Sequence, residues 1–156
     1  GALPGAIHLR TDVERKLLHG VELHHRLPPE VYTPESRDIV YERTLARAKC
    51  VLQTGHSVIV DAVFPETYWP KAVQQLATSL GVGFRGIWLD AEPIQMMARV
   101  THRTSDASDA DPDIVAAQIH AASPAPLSWS RISTRGTLTE SAEKLLAHLR
   151  KPCENE

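Results

Sequence analysis

Short apolar runs that end on a polar or charged residue alternate with segments of helical period along this chain, and no other feature constrains its fold as much. Ser57-Val58-Ile59-Val60, closed by Asp61, is the clearest such run, of the kind that a parallel sheet buries on both faces. Ala6 to Leu9 and Phe84 to Leu89 read as further strands, the second ending at Asp90, and Arg131-Ile132-Ser133 as a weak last one. A helix follows the first strand, with Thr11 or Asp12 as its cap and Gly20 at its close. A second starts at Glu35, with Tyr41, Leu45, Ala48 and Leu52 as its apolar stripe and Arg37, Arg43, Arg47 and Lys49 mainly off it. Trp69 to Leu80, Pro93 to Arg103, Pro112 to Ala121 and Leu138 to Leu149 complete the helices. Strand–helix alternation without repeats predicts an α/β fold, a mostly parallel sheet with helices on both faces.

Ligands of such sheets bind beyond the carboxyl ends of the strands. Those ends are Arg10-Thr11-Asp12, Asp61-Ala62, Asp90-Ala91 and Thr134-Arg135. Asp12 and Arg15 lie three apart, so a carboxylate and a guanidinium can face one cleft, where the first accepts a hydroxyl proton and the second holds an anionic group. The same spacing also suits a helix cap with a surface ion pair. Asp61 is placed to touch a Mg²⁺ shell or a catalytic water, or to cap the next turn. Arg99 and Arg103 suit a lid over phosphates, or a solvated basic helix end. Residues 21–34, with His24-His25 and Pro28-Pro29, form a loop long enough to be functional. Ser105 to Asp111 lacks the glycine and glutamate of a calcium loop and reads as a lid hinge and helix cap.

Composition removes other classes. Seventeen basic against nineteen acidic residues leave a net charge of −2, which gives no electrostatic reason to bind nucleic acid. No apolar run approaches the ~20 residues of a membrane span, and no signal-peptide pattern opens the chain. A soluble, cytoplasmic protein is expected. Cys50 and Cys153 make neither a disulfide framework nor a zinc spacing and read as reduced thiols.

The strings LRTDVERK, RLPPEVYTPE, VIVDAVF, GIWLDAEP, ARVTHRTSDASDAD and WSRIST, in this order and over most of the chain, resemble the P-loop ATP-binding domain related to zeta toxins and small-molecule kinases. The resemblance is to the version fused behind aminoglycoside-phosphotransferase-like domains. RLPPEVYTPE and SDASDAD are its most specific strings. It implies a P-loop kinase-like sandwich over residues 1–150 with a lid at about 99–122 and a tail at 151–156. It further implies ATP with Mg²⁺ and a small-molecule acceptor. Asp12 then matches the acceptor-side base, Arg15 the acceptor clamp of Asp-x-x-Arg, with Arg10 beside it, and Asp61 the strand-end carboxylate near Mg²⁺. Arg99 and Arg103 match lid arginines on the phosphates, and Thr134 and Arg135 the loop approaching adenine.

One departure stands out: the chain contains no G-x-x-x-x-G-K-[ST], the loop whose amides and lysine cradle phosphates. A fragment of a longer kinase is therefore expected, with its central first strand and cradle lying upstream or supplied by a neighbouring domain. An ATP-dependent phosphotransferase acting on a hydroxyl is the leading expectation, inactive as these residues alone. The alternative is a non-catalytic or regulatory nucleotide-binding module.

Overall fold

A computed structural model describes residues 5–103, 106–121 and 125–150. The expected tail at 151–156, with Cys153, lies outside these. The chain divides into two compact units, Gly1–Val63 with Arg103–Ala110, and Phe64–His102 with Asp111–Glu156.

In the first unit β1 (Ala6–Arg10) pairs in parallel with β2 (Ser57–Asp61), so that Arg10 stands opposite Asp61 at the carboxyl ends. Helix α1 (Thr11–Leu18) leaves β1 without a connector, and α2 (Pro34–Gln53) packs on α1 and along both strands. Thr33 caps α2 by accepting the Ser36 amide, and Pro34 suits a position whose amide needs no helical partner. Val40, Tyr41, Thr44 and Ala48 form its buried stripe, against the Leu45 and Leu52 expected from spacing. Between the helices the 21–34 loop is irregular apart from one 3-10 turn, Pro29–Val31.

Two expectations fail here. Neither Thr11 nor Asp12 caps α1: the cap position is Arg10 and no side chain bonds there. Thr11 is buried, its hydroxyl turned to the Asp61 carbonyl at 3.4 Å, a tertiary partner that outcompetes the local one. The β2 residues Val58, Ile59 and Val60 are half-buried rather than enclosed, since β2 belongs to a two-stranded sheet.

Helix α1 is held to α2 through a buried carboxylate. Glu14, only 2% exposed at its side chain, accepts Arg43 Nε at 3.2 Å and Arg47 at its other oxygen. Both arginines lie off the apolar stripe and keep half their surface in water, so the pair of bonds costs little desolvation on their side.

In the second unit β3 (Ile87–Asp90) and β4 (Ser130–Ser133) are again parallel, with α3 (Tyr68–Ser79), α4 (Pro93–Thr101), α5 (Pro112–Ala121) and α6 (Leu138–Leu149). Asp111 caps α5 by accepting the Ile114 amide at 2.9 Å, as the acidic string suggests. Helix α4 ends before Arg103. Thr101 donates to the Met97 carbonyl at 2.9 Å and His102 Nδ1 to that of Ala98 at 2.7 Å, which also accepts the His102 amide at 3.1 Å.

Strand β3 begins at Ile87 and not at Phe84, and the indole of Trp129 fills the space beside Gly86 where a side chain would stand. Phe64, Phe84 and Trp88 surround that indole at ring-centre distances of 5.3, 6.0 and 6.5 Å, and Ser130 donates to the Gly86 carbonyl at 2.9 Å. A Cβ at Gly86 would overlap the pinned ring. Gly86→Ala is expected to cost about 2 to 3 kcal/mol, the upper range of overpacking. Denaturant unfolding checks it, and adding Trp129→Leu should recover part of the loss, whereas a midpoint unchanged by the single substitution would mean that the ring yields freely.

Candidate functional site

The carboxyl ends of β1 and β2 place three of the expected residues together, with His8 beside them. Arg10 reaches Asp61 through Nε at 3.7 Å and Asp12 through Nη2 at 3.9 Å. His8 Nε2 lies 3.1 Å from the Asp61 carboxylate, whose side chain stays 55% exposed. The strand register accounts for this, since Arg10 and Asp61 are aligned partners and His8 is two residues earlier on the same face of β1.

Asp12 sits in the first turn of α1 with no capping duty. Burial pushes its carboxyl above the usual range, against a hydrogen bond from Ser108 and the charges of Arg10 and Arg15, which pull it down. A carboxylate that holds its proton more tightly is a stronger base once ionised. Arg15, one helical step of three further on, is nine-tenths buried. Its guanidinium stacks over the Tyr32 ring at 4.9 Å, and Nη1 lies 3.5 Å from the Ser36 hydroxyl. Its Nε is buried without a hydrogen-bond partner, an unmet donor on a side chain whose charge reaches Asp12.

Sequence reasoning missed the residues that close this cluster. Asp106 accepts Arg10 Nη2 at 2.6 Å and lies 3.8 Å from Arg103 Nε. Burial tends to raise the Asp106 carboxyl, but the Arg10 bond, the Ser108 amide and the two arginine charges hold it below the usual range. Asp109 binds Lys16 Nζ through both oxygens at 2.6 Å. The SDASDAD string pointed at this stretch, but nothing local names its partners.

In the second unit Arg99, Thr134 and Arg135 gather at the carboxyl ends of β3 and β4. Thr134 bonds the Asp90 carbonyl through its amide at 2.7 Å and its hydroxyl at 3.1 Å. Arg99 donates to the Thr134 hydroxyl at 2.9 Å and carbonyl at 2.6 Å, and Arg135 pairs with Glu92. Arg103 is held in the first unit and Arg99 in the second, so the two lid candidates have separate partners.

Among the described residues no three His, Cys, Asp or Glu side chains form a metal cage. Asp61, with a histidine and an arginine within 4 Å, offers a single carboxylate. That fits a hydrated Mg²⁺ held mainly by substrate phosphates, which needs one or two carboxylates and not a cage. For the phosphates of ATP the chain supplies cationic side chains but no glycine-rich cradle.

Two parallel strand pairs with charged residues collected at their carboxyl ends make this an α/β chain, and its fold is similar to that of P-loop kinases. The solved tunicamycin resistance protein of Deinococcus radiodurans is similar over 99% of this chain and 88% of its own, with a TM-score of 0.59 and 15% identity. A gluconokinase from Sinorhizobium meliloti 1021 is similar over 93% and 79%, with a TM-score of 0.62 and 15% identity. The AAA domain family matches residues 1–125, and the chain belongs to it. No curated protein matches the sequence. Among the described residues no helix is long and apolar enough to cross a membrane.

Proposed function

We propose that this chain carries the acceptor side of a P-loop kinase-type phosphotransferase that moves a phosphoryl group from ATP to a hydroxyl of a small anionic molecule. The observation that carries the reading is the buried, unmet Nε of Arg15, a side chain whose charge acts on a burial-shifted Asp12 at the carboxyl end of β1. Arg15 and Arg10 would hold the acceptor's anionic group. Asp12 would take the hydroxyl proton while that oxygen bonds to phosphorus and ADP leaves. A hydrated Mg²⁺ near Asp61 would neutralise charge on the transferred phosphates. Arg99, Arg103, Thr134 and Arg135 are the candidates for nucleotide contacts. The family and the fold shared with a gluconokinase support nucleotide binding of the kinase type; at 15% identity the acceptor does not transfer.

The cradle is the part that these 156 residues do not contain, so we expect them alone to bind ATP·Mg²⁺ weakly and to transfer nothing. A neighbouring segment or domain bearing G-x-x-x-x-G-K-[ST] would complete the site. The test joins such a segment ahead of residue 1 and follows ADP release with a panel of hydroxy acids, sugar phosphates and neutral polyols. Transfer to anionic acceptors, lost in Arg15→Ala, is the expected result. Tight ATP binding with no transfer to any acceptor would favour a regulatory nucleotide-binding module, and transfer to neutral polyols alone would overturn the role of Arg15.

A further inference from the structure

The first unit contains a buried ion pair that the proposed chemistry does not use. Lys16 is 1% exposed and Asp109 9% exposed at their side chains, and the ammonium also donates to the His25 carbonyl. One Asp109 oxygen accepts two further bonds, from the Leu27 amide at 3.0 Å and from the Tyr32 hydroxyl. One carboxylate thus joins α1, two points of the 21–34 loop and the 106–110 stretch. Among the described residues the same stretch touches the candidate site twice more, with Asp106 on Arg10 and Ser108 on Asp12.

We propose that Asp109 is a positioning residue for the acceptor site, fixing the loop that lays Tyr32 against Arg15 and the stretch that brings Ser108 to Asp12. This rests on reading Asp12 and Arg15 as the acceptor site. A buried ion pair gains little net stability over an apolar pair of similar size, because desolvating two charges offsets their attraction. Its directional bonds, however, fix where their partners lie, and here Tyr32 lies over Arg15 and Lys16 follows Arg15 in α1. Burial and the Asp109 bond both keep the Tyr32 hydroxyl protonated, so it remains a donor at any ordinary pH. The chain from Asp109 to Tyr32 to Arg15 then sets which way the unmet Nε faces.

The double substitution Lys16→Met with Asp109→Leu separates stability from position. It replaces two charges by apolar groups of similar volume, and we expect its melting temperature to stay within about 3 °C of the parent. Hydrogen exchange at the Leu27 amide should quicken at least about tenfold, since its acceptor is gone. The Arg15 Nε–H proton resonance should lose the ring-current shift imposed by Tyr32, and titration with inorganic phosphate should show binding at Arg15 weakened about tenfold, near 1.4 kcal/mol. Tyr32→Phe leaves the ion pair intact and should still move the Arg15 resonance, which keeps the proposal open to test if the double variant fails to fold. Unchanged Leu27 exchange and an unchanged Arg15 resonance in a folded double variant would overturn it, as would an unmoved resonance in Tyr32→Phe. If the parent chain binds no phosphate, the acceptor reading fails, while the exchange and resonance measurements still decide whether Asp109 positions Tyr32 and Arg15.

Discussion

Asp12→Asn is expected to lower the rate of phosphoryl transfer by about 10² to 10⁴, the usual contribution of a positioned general base, in a polypeptide that carries a phosphate-binding loop ahead of these residues. Asparagine keeps the shape and can still accept from Ser108, so the change removes basicity and charge with little effect on packing. Nucleotide affinity should change little, because Asp12 bonds to Ser108 and pairs with Arg10, neither of which is a nucleotide candidate. Asp12 must be ionised to act, and burial raises its carboxyl above the usual value. The acid limb of kcat/KM should therefore lie above the ordinary aspartate range, with activity rising as pH increases through it. Asp12→Glu keeps a carboxylate displaced by one methylene and should retain part of the rate. Parental turnover in Asp12→Asn, or a rate that falls only as far as the folded fraction does, would leave Asp12 as a first-turn acid with no part in the chemistry.

The elements of the fold were legible where the signal is local. A β-branched run marked β2, the Trp69 to Leu80 period marked α3, and Asp111 marked the start of α5. Local reasoning failed where a distant partner intervened. Thr11 has the side chain of a cap, yet the Asp61 carbonyl, fifty residues away, takes its hydroxyl. Phe84 continues an apolar run but stands outside the strand, its ring 6.0 Å from that of Trp129, a partner 45 positions on. The site divides in the same way. Arg10, Asp12, Arg15 and Asp61 were visible as residues at strand ends or one turn beyond, a consequence of topology. Asp109 was not, since its meaning depends on a lysine 93 positions earlier and on a loop with no period of its own. Lys16 gave one faint signal, four residues after Asp12 and so on the same helix face.

Lys16→Met alone should be far more damaging than the double substitution. It leaves the Asp109 carboxylate buried without its ammonium, and stranding one partner of a buried pair costs about 3 to 5 kcal/mol. The pH dependence identifies the cause. In the parent, burial works to raise the Asp109 carboxyl, but the bonds from Lys16, Tyr32 and Leu27 prevail and hold it below the usual range. Its contribution to stability is then complete above the unfolded aspartate value, near 3.9, and is lost as pH falls through the lower folded value. In Lys16→Met burial dominates, the folded value rises above the unfolded one, and the sign reverses. Acidification then protonates Asp109 in the folded chain first and relieves the penalty. Unfolding free energies of parent and variant measured from pH 7 to pH 4 should therefore converge as pH falls. Parallel curves over that range would show that the loss comes from the packing of the lysine stem and not from an uncompensated carboxylate.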